Sequence, residues 1–356
     1  MNKDYKSFVD ELVSIVIKEG ASDLHLSEKR NPIIRVSGFL VPLLKIDLLT
    51  KEDMNGILDC LMVPEFKKRF LEKKEIDFSY AHAKFDVRFR GNCFFHQGMI
   101  SIALRFIPRQ IKSLTDLNLP PILETFTRYR QGFFLVVGPV GQGKSTTLAS
   151  MIELINNERL EHILTIEDPI EYEYVSKKSI IDQREVGIDT EDFHSALISI
   201  FREDINVALI GEMRGLNTIS TAVTAAETGH LVLSTLHTNN AAQTIERIID
   251  SFPADQQSQI RVQLAGSLTG IFSQRLIPRV SGGLIPAYEL LINNSAVANL
   301  IRERRTHEIN TVIETGSQFG MIDMNRSLAE LVRSGDITIE NAYHYSLNPK
   351  ILEKLI

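Results

Sequence analysis

The sequence comprises 356 residues, of which 44% are hydrophobic and 24% are charged, and this favours a globular protein of two ordinary domains. Its net charge of -6 does not indicate nucleic acid as the partner, and its two cysteines are too few for a disulfide framework or a four-cysteine zinc site. The first residues lack the apolar core of a signal peptide, and no apolar stretch approaches the ~18 residues of a membrane span. We therefore expect a cytoplasmic protein that contacts a membrane only through a partner.

The first third of the sequence carries the pattern of a small α+β domain. Its helical stretches are residues 5–19, which Gly20 ends, and about 51–71. Its strand-like stretches are 23–26, 33–36, 39–43 and the long alternating region 76–107. This order predicts an antiparallel sheet with helices, in a domain that spans residues 1–108.

The stretch from Pro108 to Pro121 differs in composition, because it has three prolines and no long apolar run. We place the linker at residues 109–115. Beyond it, apolar strand candidates alternate with helical segments, which predicts an α/β domain over residues 116–356 with a mainly parallel sheet. The strand candidates are 133–137, 162–166, 207–210 and 231–236. Residues 295–356 are rich in helix formers and predict a helical carboxyl-terminal part.

The most specific motif is a phosphate loop. Gly138-Pro139-Val140-Gly141-Gln142-Gly143-Lys144-Ser145 fits G-x-x-x-x-G-K-[ST] completely, between an apolar strand and a helical segment. The glycines let successive backbone N–H groups face phosphate oxygens, and the following helix adds its positive end. Lys144 is predicted to reach the β- and γ-phosphates of ATP, and Ser145 to offer its hydroxyl to Mg²⁺. The predicted nucleotide-binding residues are Gly138, Gly141, Gly143, Lys144, Ser145 and Thr146.

Hydrolysis also requires a group that holds Mg²⁺ and a carboxylate that orients the attacking water. Glu167 and Glu212 each follow a predicted strand, at the carboxyl ends where ligands bind in open α/β sheets. We assign Glu167 as the water-activating base and Glu212 as the Mg²⁺ ligand, partly through water. The two roles could be exchanged, and Glu171 is a third candidate. For Glu171 and Asp168, an ordinary solvated charge is an equally good interpretation.

Two histidines bracket the predicted strand 231–236. Because His230 and His237 are seven residues apart in a strand, they are expected to point to opposite faces and are poorly placed to ligate one metal together. His237 stands at the carboxyl end beside Thr238 and Asn239, which favours a role in sensing the γ-phosphate or the water. For His230 a functional and a structural role are equally compatible with the sequence.

Arginines recur towards the end of the first domain, at Arg88, Arg90, Arg105 and Arg109. A planar guanidinium suits the charge that builds up on a transferring phosphate. Spacing alone nevertheless indicates an exposed strand face lined with arginine. That interpretation weakens only if the nucleotide of a neighbouring subunit lies against this face.

Taken together, these segments resemble the PilT/PilB/GspE superfamily of secretion ATPases, and within it the pilus-retraction ATPases. The likeness covers nearly the whole chain. The matching segments are Gly20–Leu26 at the opening of the PAS-like domain, Gly138–Ser150 as Walker A, Ile163–Glu171 as the "Asp box", Leu209–Arg214 as Walker B and Thr224–Thr238 as the "His box".

The resemblance implies a PAS-like α+β domain followed by a RecA-like P-loop ATPase domain with carboxyl-terminal helices. It further implies a homohexamer, with nucleotide near the next subunit and with Arg88, Arg90 and Arg105 approaching its phosphates. Residues 108–113 would then act as a hinge, and force would pass to an inner-membrane platform protein of the pilus.

Two features bear on the subtype. Ala298–Glu303 resembles in part a segment associated with retraction motors, whereas Gly215 departs from the residue that relatives often carry there. The chain has neither the four-cysteine zinc motif nor the longer amino-terminal region usual in assembly and secretion ATPases, which favours retraction.

The resulting hypothesis is a hexameric motor ATPase, at the inner face of the cytoplasmic membrane, that drives type IV pilus retraction and so twitching motility or DNA uptake. The alternatives are a pilus-assembly or type II secretion ATPase, and a weakly active accessory retraction subunit. A nucleic-acid motor is disfavoured by the acidic balance of the chain.

Overall fold

A computed structural model describes residues 4–36, 38–107, 110–213 and 215–356. Pro108 and Arg109, at the predicted domain boundary, and Arg214 of the Walker B segment lie outside the described residues. The chain divides into two compact units. The first consists of the residues up to Gln110 together with Pro169–Glu173, and the second of Ile111–Asp168 and Tyr174–Ile356.

The first unit is an antiparallel sheet packed with helices. Its helices are α1 (Tyr5–Lys18), α2 (Lys51–Leu61) and α3 (Pro64–Lys73), and its strands are β1 (Asp23–Ser27), β2 (Ile33–Val36), β3 (Phe39–Pro42), β4 (Glu75–His82), β5 (Val87–His96) and β6 (Met99–Ile107). The strands lie in the order β3-β2-β1-β6-β5-β4, and each pairs antiparallel with its neighbours. This confirms the predicted α+β architecture.

Local signals set the ends of these helices. Asp4 accepts hydrogen bonds from the first turn of α1, and Gly20 takes a positive φ of 60° just past its end. Thr50 and Asp53 form a reciprocal capping box at the start of α2. The predicted helical stretch 51–71 is divided at Pro64, because a proline begins a helix well and forces an extended conformation on the residue before it.

The second unit is built on a larger sheet. Its strands are β7 (Gly132–Val137), β8 (His162–Glu167), β9 (Ile180–Glu185), β10 (Val207–Ile210), β11 (Leu231–Leu236), β12 (Leu268–Pro278) and β13 (Leu284–Ile292). They lie in the order β13-β12-β7-β11-β10-β8-β9, and only the β12–β13 pairing among those described is antiparallel. The mainly parallel sheet is thus confirmed, and the predicted strands form its centre.

Helices follow most of these strands, as in other doubly covered sheets. They are α4 (Leu123–Thr127), α5 (Lys144–Glu158), α6 (Phe193–Ser199), α7 (Leu216–Glu227), α8 (Ala241–Asp250), α9 (Gln257–Ser267), α10 (Ser295–Arg302), α11 (Ile309–Thr315), α12 (Met324–Arg333), α13 (Ile339–Tyr345) and α14 (Pro349–Leu355). The helices from α10 onwards make up the predicted helical carboxyl-terminal part.

Strand β7 shows why the sheet is buried on both faces. Phe133 and Leu135 pack into one apolar cluster with residues of α7, α8 and α9, whereas Phe134 and Val136 pack into another with residues of α5. Successive side chains of a strand point to opposite faces, so a continuous apolar run is what a doubly covered strand requires. The site residues that follow such strands are therefore attached to a rigid support.

The hairpin β12–β13 was not among the predicted strands. Its turn contains Gly282 and Gly283, whose φ angles of 89° and 77° lie in the region that favours glycine. It places β12 directly beside β7, so that an extended segment runs next to the strand that leads into the phosphate loop.

The carboxyl-terminal helices have a small apolar core of their own. Met324, Leu328 and Leu352 from α12 and α14 pack with Ile277 and Ile285 of the hairpin. The end of the β12–β13 hairpin is thereby anchored to the helical tail.

Two expectations from composition concern the whole chain. No described helix combines the length and apolarity that crossing a bilayer demands. Cys60 and Cys93 are free thiols, and Cys93 is buried, which raises its pKa above the ordinary value for a thiol.

Candidate nucleotide-binding site

The phosphate loop joins β7 to α5 in the second unit. Gly143 has a φ of 78° and occupies the N-cap position of α5, so the loop turns into the helix through a conformation that favours glycine. A Cβ at Gly138 would lie 2.4 Å from the carbonyl oxygen of Gln274. The backbone therefore needs glycine at both fixed positions of the motif, once for its turn and once for close approach to β12.

Gln274 of β12 supports this loop through hydrogen bonds. Its side chain is buried, donates from Nε2 to the carbonyl oxygen of Gln142 at 2.9 Å, and accepts from the Thr147 hydroxyl at 2.7 Å. In return, the side-chain oxygen of Gln142 accepts from the backbone N–H of Leu276 at 2.6 Å. The side chains of Gln142 and Gln274 thus join the phosphate loop to β12, each through a hydrogen bond to the backbone of the other segment.

Lys144 is buried beneath the loop. Its Nζ donates to the carbonyl oxygens of Gly138 and Pro139, each at 2.9 Å, and lies 3.2 Å from Nδ1 of His237. Since an ammonium group only donates, Nδ1 of His237 acts as the acceptor and the ring proton resides on Nε2. That Nε2 faces Oε1 of Glu212 at 3.4 Å. His237 therefore connects the phosphate-loop lysine with Glu212.

Glu167 ends β8 beside these residues. It is buried, and its Oε1 accepts from the Thr165 hydroxyl at 2.7 Å. The backbone N–H of Gly211 donates to the carbonyl oxygen of Ile166 at 2.8 Å, and a Cβ at Gly211 would lie 3.4 Å from Cα of Glu167. Two strands thus end side by side, and this holds Glu167 next to the segment that carries Glu212.

The donor groups suit Mg²⁺ bound with a nucleotide. Ser145 and Thr146 lie half-buried in the first turn of α5, and Glu212 is also half-buried. Mg²⁺ prefers oxygen ligands and keeps several waters, so one hydroxyl and one carboxylate complement the phosphate oxygens without a cage of protein ligands. The described residues contain no cluster of three or more His, Cys, Asp or Glu side chains that could hold a metal.

His230 lies at the opposite end of β11 from His237. Its Nδ1 is 3.0 Å from the carbonyl oxygen of Ala225, and its ring packs edge-on against Phe201. These contacts are structural and lie at the amino end of the strand, away from the phosphate loop.

Three of the arginines named in the sequence, Arg88, Arg90 and Arg105, belong to the described part of the first unit. Arg88 and Arg90 alternate along β5, and Arg90 pairs in register with Arg105 of β6, so the three share one face of the sheet. Arg88 donates to Glu173 at 2.6 Å, Arg90 lies 3.5 Å from Glu171, and Arg105 donates to Asp23 at 3.0 Å. We call these three residues the arginine face.

Glu171 and Asp168 differ in their surroundings from Glu167. Glu171 lies in the short segment that groups with the first unit, where it faces Arg90. Asp168 is exposed at the end of β8. Among these three acidic residues, only Glu167 is buried beside the strand end that leads to Glu212.

Gln274 is the residue at this site that sequence reasoning missed. It belongs to no motif and lies 130 positions after Lys144. The signal that could have revealed its strand is the pair of apolar runs 268–277 and 284–292, separated by a Ser-Gly-Gly turn, which is typical of a hairpin.

Comparison with known proteins gives a consistent result. A family model described as "Type II/IV secretion system protein" matches residues 3–343. The type IV pilus retraction ATPase PilT of Pseudomonas aeruginosa is 42% identical over 94% of the chain and 96% of its own length. A twitching motility protein of Neisseria gonorrhoeae is 44% identical over 89% of the chain and 84% of its own length.

A solved structure shares the whole fold. A crystal structure of the pilus retraction motor PilT with bound ADP superimposes with a TM-score of 0.90 at 44% identity, covering 97% of the chain and 98% of that structure. The likeness thus extends over both units and is not confined to the phosphate loop.

Proposed function

Since the chain belongs to the type II/IV secretion system protein family and is an ATPase of that family, we propose that it is a hexameric motor that hydrolyses ATP to retract a type IV pilus. The observation that carries this proposal is the contact chain from Lys144 through His237 to Glu212, at 3.2 and 3.4 Å. It joins three residues from three separate motifs around the loop that binds phosphate.

In this proposal the residues of the loop bind the nucleotide. Backbone N–H groups between Gly138 and Thr146 face the phosphates, and Lys144 exchanges its two carbonyl partners for phosphate oxygens. Ser145 and Glu212 would hold Mg²⁺, Glu212 partly through water. The ion would neutralise charge on the β- and γ-phosphates when bound.

Glu167 then acts as the base that orients the attacking water, because it is a buried carboxylate at the carboxyl edge of the sheet. His237 senses the γ-phosphate. Its ring shares contacts with Lys144 and Glu212, so a lysine drawn towards phosphate leaves Nδ1 without its donor. The exchange of the roles of Glu167 and Glu212 remains the alternative assignment.

The arginine face supplies positive charge to the transferring phosphate in the hexamer. Support comes from its composition, since Arg88, Arg90 and Arg105 share one side of the sheet, and the side chains of Arg90 and Arg105 are exposed while that of Arg88 is largely buried. The carboxylates that now pair with them would be replaced by phosphate oxygens. Force would pass to the platform protein of the pilus at the inner face of the membrane.

Retraction, and not assembly, is the direction that the relatives support. The two curated relatives described above are named for retraction and twitching motility, and the chain matches them over nearly its entire length. Twitching motility, and DNA uptake where the host takes up DNA, are the processes that such a motor would serve.

The test combines the purified protein with a gene deletion in the host. We expect the hexamer to release phosphate from ATP and Glu212→Ala to abolish release. A deletion strain should carry excess surface pili that do not retract, and only the wild-type gene should restore retraction, whereas the Lys144→Ala gene should not.

Other outcomes separate the alternatives. Loss of all surface pili in the deletion strain would indicate an assembly motor, and loss of secretion with normal pili would indicate a type II secretion ATPase. A purified protein that releases phosphate only in the presence of a paralogous motor would indicate an accessory subunit. A permanently monomeric, fully active protein would contradict the hexameric motor.

A further inference from the structure

The hairpin β12–β13 contacts two different loops of the site. On one face of β12, Gln274 holds the phosphate loop. The neighbouring residues Ser273 and Arg275 point to the other face, because side chains alternate along a strand. That face meets the loop after β11, residues 237–240, which we call the His237 loop.

Side chains of the hairpin contact the His237 loop at Asn239 and the residue that follows the loop, Ala241. The Ser273 hydroxyl donates to the carbonyl oxygen of Asn239 at 2.9 Å, and Arg275 donates to the side-chain oxygen of Asn239 at 3.1 Å. The backbone N–H of Ala241 donates to Oε1 of Glu289 at 2.8 Å. Ser273 and Glu289 are direct partners across the hairpin, so both reach the loop from the same face.

The contact of Glu289 satisfies a specific need of the backbone. Ala241 begins α8, and the first N–H groups of a helix have no partner within the helix. Asn240 accepts from Gln243 and so serves one of these groups, while Glu289 serves the first of them. A carboxylate is also favoured at this end of α8 by the helix dipole.

A carboxyl group is nevertheless an expensive choice at this position. Glu289 is 6% exposed, and burial raises its pKa to about 7, although Arg275 favours its charged form. The negative charge of Asp323 opposes the ionisation of Glu289. Tyr345 favours the charged form of Arg275. A glutamine would accept from Ala241 equally well without a buried charge. The carboxyl group differs from a glutamine in the negative charge that it can place near Arg275.

We propose that Glu289 is a positioning residue for His237, which holds the His237 loop against the hairpin so that the imidazole stays between Lys144 and Glu212. The inference rests on the role proposed above for His237. The ionised carboxylate attracts the start of α8 at Ala241 and the guanidinium of Arg275, which itself donates to Asn239, so the chain is held two and four residues beyond the imidazole. The protonated carboxyl group holds the same contacts more weakly.

The test is the Glu289→Gln variant of the full chain, with the rate of ATP hydrolysis, the affinity for ADP and the melting temperature as readouts. We expect kcat at pH 8 to fall about tenfold, because small displacements of a catalytic group are costly. The affinity for ADP should change less than twofold, since Gln274 still braces the phosphate loop. The ratio of wild-type to variant kcat should approach one below pH 6.

Glu28→Gln is the matched control. Glu28 is a buried carboxyl group of the first unit that accepts from the backbone N–H of Ile100 at 3.1 Å, so it poses the same substitution in a similar setting. It should leave kcat and its pH profile as in the wild type. Should Glu289→Gln fail to fold, Ser273→Ala decides instead, with a threefold or greater fall in kcat expected at unchanged ADP affinity.

Two results would overturn the inference. One is a wild-type kcat in Glu289→Gln at every pH, and likewise in Ser273→Ala if that variant decides. The other is a parallel loss of kcat, ADP affinity and melting temperature, which would show a merely structural role. Failure of the proposed function looks different, because the wild-type protein itself would then bind ADP without releasing phosphate from ATP, and that result would overturn both.

Discussion

The arginine face of the first unit and the phosphate-loop edge of the second treat their charges in opposite ways. On the arginine face, Arg90 and Arg105 are direct cross-strand neighbours, and their mutual repulsion is offset by Glu171 and Asp23. The side chain of Arg105 remains 72% exposed. At the phosphate-loop edge, Lys144 and Glu167 are only 7% and 8% exposed and are held by carbonyl and hydroxyl groups.

The difference shows which of the two regions is preorganised before a ligand binds. An ion pair that is exposed on both sides, such as that of Arg90 with Glu171, contributes little free energy and can be exchanged for other partners at little cost. Buried charges are costly, so they persist only where the surrounding structure fixes them. The edge of the parallel sheet is thus preorganised for a ligand, whereas the arginine face depends on what approaches it.

The largest expected effect is at the phosphate loop. Lys144→Ala should reduce ATP turnover by at least ~100-fold, because the phosphates lose the charge that the loop directs at them. Phosphate release from purified protein measures it. Lys178→Ala, at an exposed lysine of the same unit, is the control and should retain the wild-type rate. An undiminished rate in Lys144→Ala would contradict the assignment of the loop.

The next prediction distinguishes the roles of Glu167 and Glu212. Glu167→Gln should lower kcat by about 100-fold or more, since it removes the base but keeps the hydrogen bond from Thr165. ADP affinity should be retained. Glu212→Gln should instead raise the Mg²⁺ concentration needed for half-maximal activity. If the two variants exchange these signatures in a Mg²⁺ titration, the roles of the two residues are reversed.

A third prediction concerns stability and pH. Because burial raises the pKa of Glu289 from 4.5 to about 7, the folded chain holds that proton more tightly than the unfolded chain. The stabilisation is complete below pH 4.5 and is lost as the pH rises through about 7. Over this window the wild type should lose about 3 kcal/mol that Glu289→Gln keeps.

Urea unfolding of the nucleotide-free protein between pH 5 and pH 8 checks this prediction. The variant should gain on the wild type steadily with pH, until the difference levels off. Curves that run parallel across the whole range would mean that Glu289 does not titrate there in the folded chain.

The smallest effect tests whether the arginine face is more than an ordinary surface. Arg105 and Arg35 both pair with Asp23, at 3.0 and 3.7 Å, and so form a matched pair. Arg105→Ala should lower kcat about tenfold if its guanidinium reaches phosphate, while Arg35→Ala should leave kcat unchanged. Equal rates in the two variants would mean that the arginine face is an ordinary solvated surface. Only the phosphate-loop edge would then take part in catalysis.

Much of the second unit could be read from its sequence because its signals are local. Apolar runs followed by glycine, an acid or histidine mark β7, β8, β10 and β11, and parallel strands bring their carboxyl ends to one edge. Lys144, Glu212 and His237 meet for this topological reason. The spacing of the arginines on β5 and β6 likewise predicted their common face.

What could not be read is the support for these residues. Gln274 and Glu289 act through hydrogen bonds to loops that precede them by more than 40 positions, and no spacing rule links a strand glutamine to a phosphate loop. Strand β9 is partly exposed and mixes charged with apolar residues, so its pattern is weak. The grouping of Pro169–Glu173 with the first unit depends on tertiary contacts that no motif encodes.

The packing of the hairpin end against α12 and α14 links the carboxyl-terminal helices to the strand that holds the phosphate loop. Ile277, which packs among these helices, is three positions from Gln274 on the same strand. A force on the carboxyl-terminal helices would be transmitted along β12 to the side-chain amide of Gln274, which is hydrogen-bonded to the phosphate loop. Force on the carboxyl-terminal helices and nucleotide binding at the phosphate loop would in that case be coupled.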